Sequence, residues 1–395
     1  MRQINNFFSI RSENRLKIDL ILLSTGFILL MIGMVMVSSA SIAIADDQHG
    51  DPFFFLKKQF LAALIGCCAA FIGMFIPIRT WKNLSLPLLL LGITLLIIVF
   101  IPDIGRTVNG STRWISVAGI NFQVSEPARL CLLIYVAGYL VRRNRQLRES
   151  ISGFIPPIII LCITCGLLLF EPDYGASVVL LLSIMPMLFS AGARIRDFTI
   201  FVAISMIGMT VIAFLTPERI ERLYTFLEPW EYSQQGGFQL TQSLIAFGRG
   251  DWFGVGLGNG VQKLFYLPEV HTDFIFAVLV EELGLFGALV MILLFTILVI
   301  RIFQIALKAA RLERLFEAYL SIGIGSWLAI QTCINIGVNI GALPTKGLTL
   351  PLISYGRSSL IITIIAIGMI LRISHEISGQ NLNQKRASLK KTEVS

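Results

Sequence analysis

The stretch Leu267–Ile300, LPEVHTDFIFAVLVEELGLFGALVMILLFTILVI, decides the fold. It opens on a largely polar segment punctuated by Pro268 and turns apolar at Phe274. It then stays apolar for longer than the roughly 20 residues a helix needs to cross a bilayer. Nine further runs of this kind lie around it, at Leu20–Ala45, Phe60–Pro77, Leu84–Ile101, Phe122–Val141, Ile155–Phe170, Gly175–Ser190, Phe198–Leu215, Ala318–Gly341 and Leu352–Leu371. With Phe274–Ile300 they make ten. The expected fold is an all-α polytopic membrane protein of ten transmembrane helices over residues 20–376. A large extracytoplasmic loop is expected over 216–273, between helices 7 and 8. A cytoplasmic tail over 1–19 precedes this domain, and a cytoplasmic tail over 377–395, rich in Gln, Asn, Lys and Ser, reads as disordered.

Composition supports this reading. Of 395 residues, 55% are hydrophobic and only 14% charged, against about 25% charged in soluble domains. Mean hydropathy is +0.78, which excludes an ordinary soluble protein. The net charge of +8 does not indicate nucleic acid, because the basic residues sit between apolar runs and not on one face. They read as topology signals: with the N-terminus inside, 21 of the 32 basic residues fall on inner segments and ten on outer ones. That excess places both termini in the cytoplasm. A cleaved signal peptide is the competing reading of the start, but Leu20–Val37 is longer than a usual signal core and nine spans follow it.

The six cysteines lie in apolar runs, and Cys162 and Cys165 are expected to serve helix packing. The three histidines are too scattered for a zinc motif. The glycine run Gly248, Gly250, Gly254, Gly256, Gly258, Gly260 lacks dinucleotide-binding spacing and a preceding strand, so close helix or loop packing is expected. Asn109-Gly110 is a turn signal. The aromatic content of the 216–273 connection, Trp230, Phe238, Phe247, Trp252, Phe253 and Phe265 among it, predicts order along the outer interface.

Charge within or at the edge of a membrane is costly, so such residues are functional candidates with a structural ion pair as the alternative. Glu126 and Arg129, three apart on one helix face, fit either. Glu281 and Glu282 are expected to pair with intramembrane or inner-side cations. Lys346, in a segment broken by Pro344, Gly347 and Pro351, can offer an ammonium to a phosphate. Asp273 stands at the water–lipid boundary, where partial desolvation raises a carboxyl toward the range of a general base. The alternative is a helix cap by Thr272 or Asp273, which spacing alone favours.

The chain resembles the SEDS family (shape, elongation, division and sporulation). The resemblance rests on Asn109–Ile115 (NGSTRWI), Glu171–Gly175 (EPDYG), Phe238–Ala246 (FQLTQSLIA) and Gly254–Gly258 (GVGLG) with Gln262 and Lys263. To these it adds Leu267–Glu282, Leu343–Leu348 (LPTKGL) and Leu350–Gly356 (LPLISYG). The basic N-terminal extension and the LTQSL and HTDFI wording favour the cell-division branch over the elongation branch.

The resemblance implies a peptidoglycan glycosyltransferase of the septum that polymerises lipid II at the outer face of the inner membrane. Its implied partners are a class B penicillin-binding protein (FtsI) and other division proteins. The family's essential acid falls on Asp273, which reverses the preference for a cap. Arg113 and Lys346 are then expected near diphosphates, with Glu269 in support and Glu126 and Arg129 as further substrate-binding candidates. A divalent cation, Mg or Mn, at the diphosphate is compatible with this chemistry. Four positions depart from the family pattern. Val124 and Arg129 stand in Gln123–Arg129 (QVSEPAR), where the family has Pro and Lys; Glu171 stands where it has Gln, and Arg357 where it has Gly. The rival readings are a lipid II flippase, which would rest on the deep charges, and a scaffold, which would tolerate change at both places.

Overall fold

A computed structural model describes residues 18–392 apart from 103, 109–110, 118–119, 216 and 235, so the Asn109-Gly110 turn lies outside the described residues. The chain is a mostly helical, multi-pass membrane protein. Seven of its described helices are long and apolar enough to cross a bilayer. They are α1 (Leu20–His49), α2 (Phe54–Phe75), α7 (Ile151–Phe170), α9 (Ile195–Phe214), α12 (Ile275–Arg311), α13 (Leu315–Asn339) and α14 (Arg357–Thr392). Two shorter apolar helices, α4 (Ser85–Ile98) and α8 (Tyr174–Ser190), accompany them, as does α5 (Ser125–Arg142), which carries Glu126, Arg129 and Arg142. Short helices α3 (Ile78–Asn83) and α6 (Asn144–Glu149) join spans, and α10 (Pro217–Leu227) and α11 (Phe238–Gly250) lie in the long connection before α12.

The structure corrects the all-α expectation in one place. Three short strands, β1 (Gly105–Val108), β2 (Ser111–Val117) and β3 (Ile120–Gln123), form an antiparallel sheet in the order β1-β2-β3. Arg106 stands opposite Trp114, and Trp114 opposite Gln123. Hairpins this short leave too little apolar alternation to stand out beside membrane spans. The helical backbone also continues to Thr392 across the tail that composition reads as unstructured, where Gln, Lys, Arg, Ala and Leu favour helix.

Burial ranks the helices. Of the most apolar window of each, 67% is buried in α13 and 72% in α14, but only 11% in α9. The core centres on Trp327, Phe276, Leu132 and Leu133, none of them more than 1% exposed. At the end of α12 away from Asp273, Arg301 pairs with Asp19 at 2.9 Å, and Glu376 takes both Arg314 and Arg372.

One helix is interrupted. Gly284 in α12 adopts φ 69° and ψ −170°, which breaks the ladder and which a residue without Cβ tolerates best. The segment after α11 fills the break with backbone. The amides of Val255 and Gly256 donate to the carbonyls of Glu281 and Glu282 at 3.0 and 3.1 Å, and the amides of Leu285 and Phe286 donate to Asp251 and Trp252 at 2.9 and 3.1 Å. Irregular backbone at membrane depth requires such internal partners. The glycine run is part of this fit, since a Cβ on Gly250 or Gly254 would lie 2.1 Å from the carbonyl oxygen of Val280 or Glu282.

Candidate active site

Asp273 sits in the turn before α12, half-buried, and no side chain caps that helix, whose N-cap is Phe274. The capping alternative is thereby overturned: among the described residues the carboxylate accepts no hydrogen bond. Burial pushes its carboxyl up, Glu269 pushes the same way, and the Arg113 and Arg222 cations pull it down; the outcome is about 7. Gly347 lies against it, since a Cβ there would be 3.3 Å from Oδ2.

The main chain at Asp273 is held from α13. Asn335 Nδ2 and Asn339 Nδ2 donate to its carbonyl oxygen at 2.9 and 3.0 Å. Asn335 also donates to the Leu348 carbonyl at 2.6 Å, while Asn339 Oδ1 accepts from the Ala277 amide at 3.1 Å. One turn earlier Gln331 Nε2 donates to the Thr349 carbonyl at 2.8 Å. These three amides, four residues apart, form one stripe on a helix. Sequence reasoning passed over them, although polar amides at a period of four in the apolar run LAIQTCINIGVN are a readable signal.

Two cations stand near this turn. Arg113 on β2 donates from Nε to the Glu171 carbonyl at 3.2 Å and from Nη2 to the Pro172 carbonyl at 2.9 Å. Its Nη1 lies 3.9 Å from Asp173, the residue that caps α8. Two stretches far apart in sequence, NGSTRWI and EPDYG, therefore meet through one guanidinium. The Lys346 ammonium lies 3.7 Å from the ring centroid of Tyr174, the first residue of α8. Glu171 is fully buried, neither carboxyl oxygen has a partner among the described residues, and burial and Asp173 push it up to about 9.

The other predicted residues are placed differently. Glu269 is exposed and accepts from Thr272 Oγ1 at 2.7 Å. Glu126 and Arg129 are buried in the bundle and paired at 3.3 Å. Arg129 also donates to Gln331 Oε1 at 2.9 Å beneath the Trp327 ring, so this pair connects to the Asp273 turn through the amide stripe. Glu281 and Glu282, expected to pair with intramembrane or inner-side cations, do pair with cations, supplied by the long connection before α12. Glu281 accepts from the Val261 and Gln262 amides at 3.0 and 3.1 Å and meets Arg249 at 3.3 Å. Glu282 takes Lys263 at 2.6 Å and Ser39 at 2.7 Å. Arg249 and Lys263 come from the long connection, because the break in α12 admits that connection to the depth of the two carboxylates.

Among the described residues no three His, Cys, Asp or Glu side chains gather to hold a metal ion. Near the turn Asp273 has the carboxylates of Glu269 and Asp173 within electrostatic range, and Asp173 is committed to Arg113 and to the N-terminus of α8. These residues do not by themselves build a divalent-cation site, and no reaction step is derived through one.

Comparison with known proteins accounts for this arrangement. Residues 20–379 match the family model for FtsW, RodA and SpoVE, described as cell cycle protein. A probable peptidoglycan glycosyltransferase FtsW of Coxiella burnetii is 48% identical over 348 residues, 88% of this chain and 94% of that one. The protein of the same description from Legionella pneumophila is 48% identical over 361 residues, 91% of this chain and 92% of that one. Among solved structures, a chain from a peptidoglycan synthase complex, described as coordinating polymerization and crosslinking, superposes with a TM-score of 0.75 at 27% identity. The match covers 92% of this chain and 99% of that one. The rod shape determining protein RodA of Thermus thermophilus superposes with a TM-score of 0.68 at 27% identity, over 91% and 98%. On a family match spanning residues 20–379 and relatives nearly half identical along their length, the chain belongs to the FtsW/RodA/SpoVE family of cell cycle proteins.

Proposed function

We propose that this protein is an inverting peptidoglycan glycosyltransferase that polymerises lipid II at the outer face of the cytoplasmic membrane during division. The observation that carries the reading is Asp273, a carboxyl near neutrality that caps no helix and is held by its main chain from α13. Polymerisation requires the 4-hydroxyl of one disaccharide to displace polyprenyl diphosphate from C1 of another sugar. Asp273 takes the hydroxyl proton as the new C–O bond forms and the C1–diphosphate bond breaks, so a second carboxylate nucleophile is not needed. Arg113 and Lys346 stabilise the charge that accumulates on the departing diphosphate, and Glu269 helps hold the Asp273 proton affinity high.

The same reading takes all ten apolar helices as spans, with both termini in the cytoplasm and the 216–273 connection outside. It places the protein at the septum with a class B penicillin-binding protein of the FtsI type, a pairing supported by the likeness to a peptidoglycan synthase complex. A leaflet-transfer role would rest on Glu126, Arg129, Glu281 and Glu282, and each of these is occupied by a partner within the protein. The test is lipid II polymerisation by the purified protein with its penicillin-binding partner, scored as glycan length. Asp273→Asn is expected to lower the rate by about 10²–10⁴-fold while the complex stays intact; full activity of that variant would overturn the assignment.

A further inference from the structure

Lys58 and Arg357 come from helices about 300 residues apart in the chain and are brought together by a clamp. Gln59 Nε2 donates to the Ser354 carbonyl at 3.0 Å, and the Gly356 amide donates to Gln59 Oε1 at 3.4 Å. Phe55 packs edge-on against Tyr355 with ring centroids 5.1 Å apart. Lys58 adjoins one side of this clamp and Arg357 the other, so the ammonium and the guanidinium fall within electrostatic range of each other. Both side chains are half-buried.

Among the described residues no anion offsets them. Lys57, one residue away, is taken by Asp51 at 2.8 Å, but neither Lys58 nor Arg357 has an ion pair among the described residues. Arg357 also opens α14, whose first turn holds no acidic residue, so the positive end of a helix dipole adds to the same place. Lys58 rests on the face of Phe54 at 3.8 Å, which orients the ammonium without neutralising it. Holding like charges together in a half-desolvated setting is unfavourable unless an anion joins them.

The cluster is tied to the catalytic turn. The Tyr355 amide donates to the His271 carbonyl at 2.8 Å, two residues before Asp273. The His271 ring packs on Phe55 at 4.6 Å and Tyr355 at 5.4 Å, and its Nδ1 is shielded from solvent with no partner among the described residues. The cations of the reaction proposed above, Arg113 and Lys346, gather instead on the Glu171–Tyr174 turn.

We propose that Lys58 and Arg357 form a second phosphate subsite, one that holds the unreacted diphosphate of the lipid-linked sugar supplying the hydroxyl. The inference rests on the glycosyltransferase reading. A polymerase brings two lipid-linked diphosphates together, and only one of them leaves. The leaving diphosphate lies with Arg113 and Lys346; the retained one needs cations of its own, attached to the same turn.

The test uses the full chain in nanodiscs with its penicillin-binding partner, comparing wild type with Lys58→Gln/Arg357→Gly, and with Arg357→Lys as the charge-keeping control. Undecaprenyl diphosphate is the binding probe, and discs of phosphatidylcholine with and without phosphatidylglycerol are compared. Wild type is expected to bind two equivalents of undecaprenyl diphosphate and the double variant one. KM for lipid II is expected to rise roughly tenfold, the size of losing one or two charge-assisted contacts, with kcat little changed. Arg357→Lys is expected to retain most of the binding. Unchanged stoichiometry and KM in the double variant would overturn the subsite. An effect of the double variant seen only with phosphatidylglycerol present would also overturn it, by giving the cations to a phospholipid headgroup. If wild type binds two equivalents but makes no glycan, the glycosyltransferase reading fails while the two phosphate sites stand.

Discussion

At the scale of single residues, the role proposed for Asp273 ties reactivity to pH. Its carboxyl lies near 7, well above an ordinary aspartate, so the basic form is lost as pH falls through that value. The kcat/KM for polymerisation is therefore expected to fall about tenfold per unit below pH 7 and to level off above it. A pH–rate profile checks this, and a profile flat down to pH 5 would remove Asp273 as the base. Asn335 positions the turn from behind. Asn335→Ala leaves the Leu348 carbonyl without its side-chain donor, at about 1–3 kcal/mol, and leaves Asn339 alone to hold the Asp273 carbonyl. A lower melting temperature and a loss in kcat larger than the change in KM are expected, with partial recovery in Asn335→Gln. Asp273 was legible in the sequence because a carboxylate directly before an apolar run stands out. The period of four in the amides behind it is readable as well, but hydropathy scores Asn and Gln within a span as small blemishes, and the main-chain carbonyls they hold are announced by no side-chain pattern.

At the scale of elements, each apolar run read from the sequence has a helix as its main part, although the fourth opens on β3 and the tenth on the turn before α14. Seven of these helices are long and apolar enough to cross a bilayer, and ends extend where Lys, Arg and Gln continue the helical turn, as α12 does to Arg311. The break at Gly284 was hidden, because ELGLFG within an apolar stretch reads as continuous helix and the backbone that fills the gap comes from about 30 residues upstream. That break explains why the connection before α12 carries both glycines and cations. Lys263 compensates Glu282, which is completely buried. Lys263→Met is expected to destabilise the protein by about 3–5 kcal/mol, the cost of a buried charge without its partner. Lys263→Met/Glu282→Gln should recover much of that loss. Thermal unfolding in detergent of the single and double variants reads this directly, and equal melting temperatures for wild type and Lys263→Met would show that the pair carries no weight.

At the scale of the whole molecule, stability is unevenly spread. The α12–α13–α14 region holds the buried carboxylates Glu281 and Glu282 and the amide stripe, whereas α9 keeps only 11% of its apolar window against protein. Hydrogen exchange in nanodiscs is expected to be slowest in α13 and markedly faster in α9 and α10, because local opening costs least where few contacts are lost. Uniform protection across all helices would contradict that ranking. The sparse packing of α9 also bears on how its sequence carries information. The order of residues in α13 matters, since moving one amide by a single position would carry it off the stripe. In α9 almost any arrangement of Ile, Val, Met and Phe presents the same surface to the bilayer. Its message lies in composition alone, so the two helices should drift at different rates as the chain diverges, α9 freely within a hydropathy bound and α13 hardly at all.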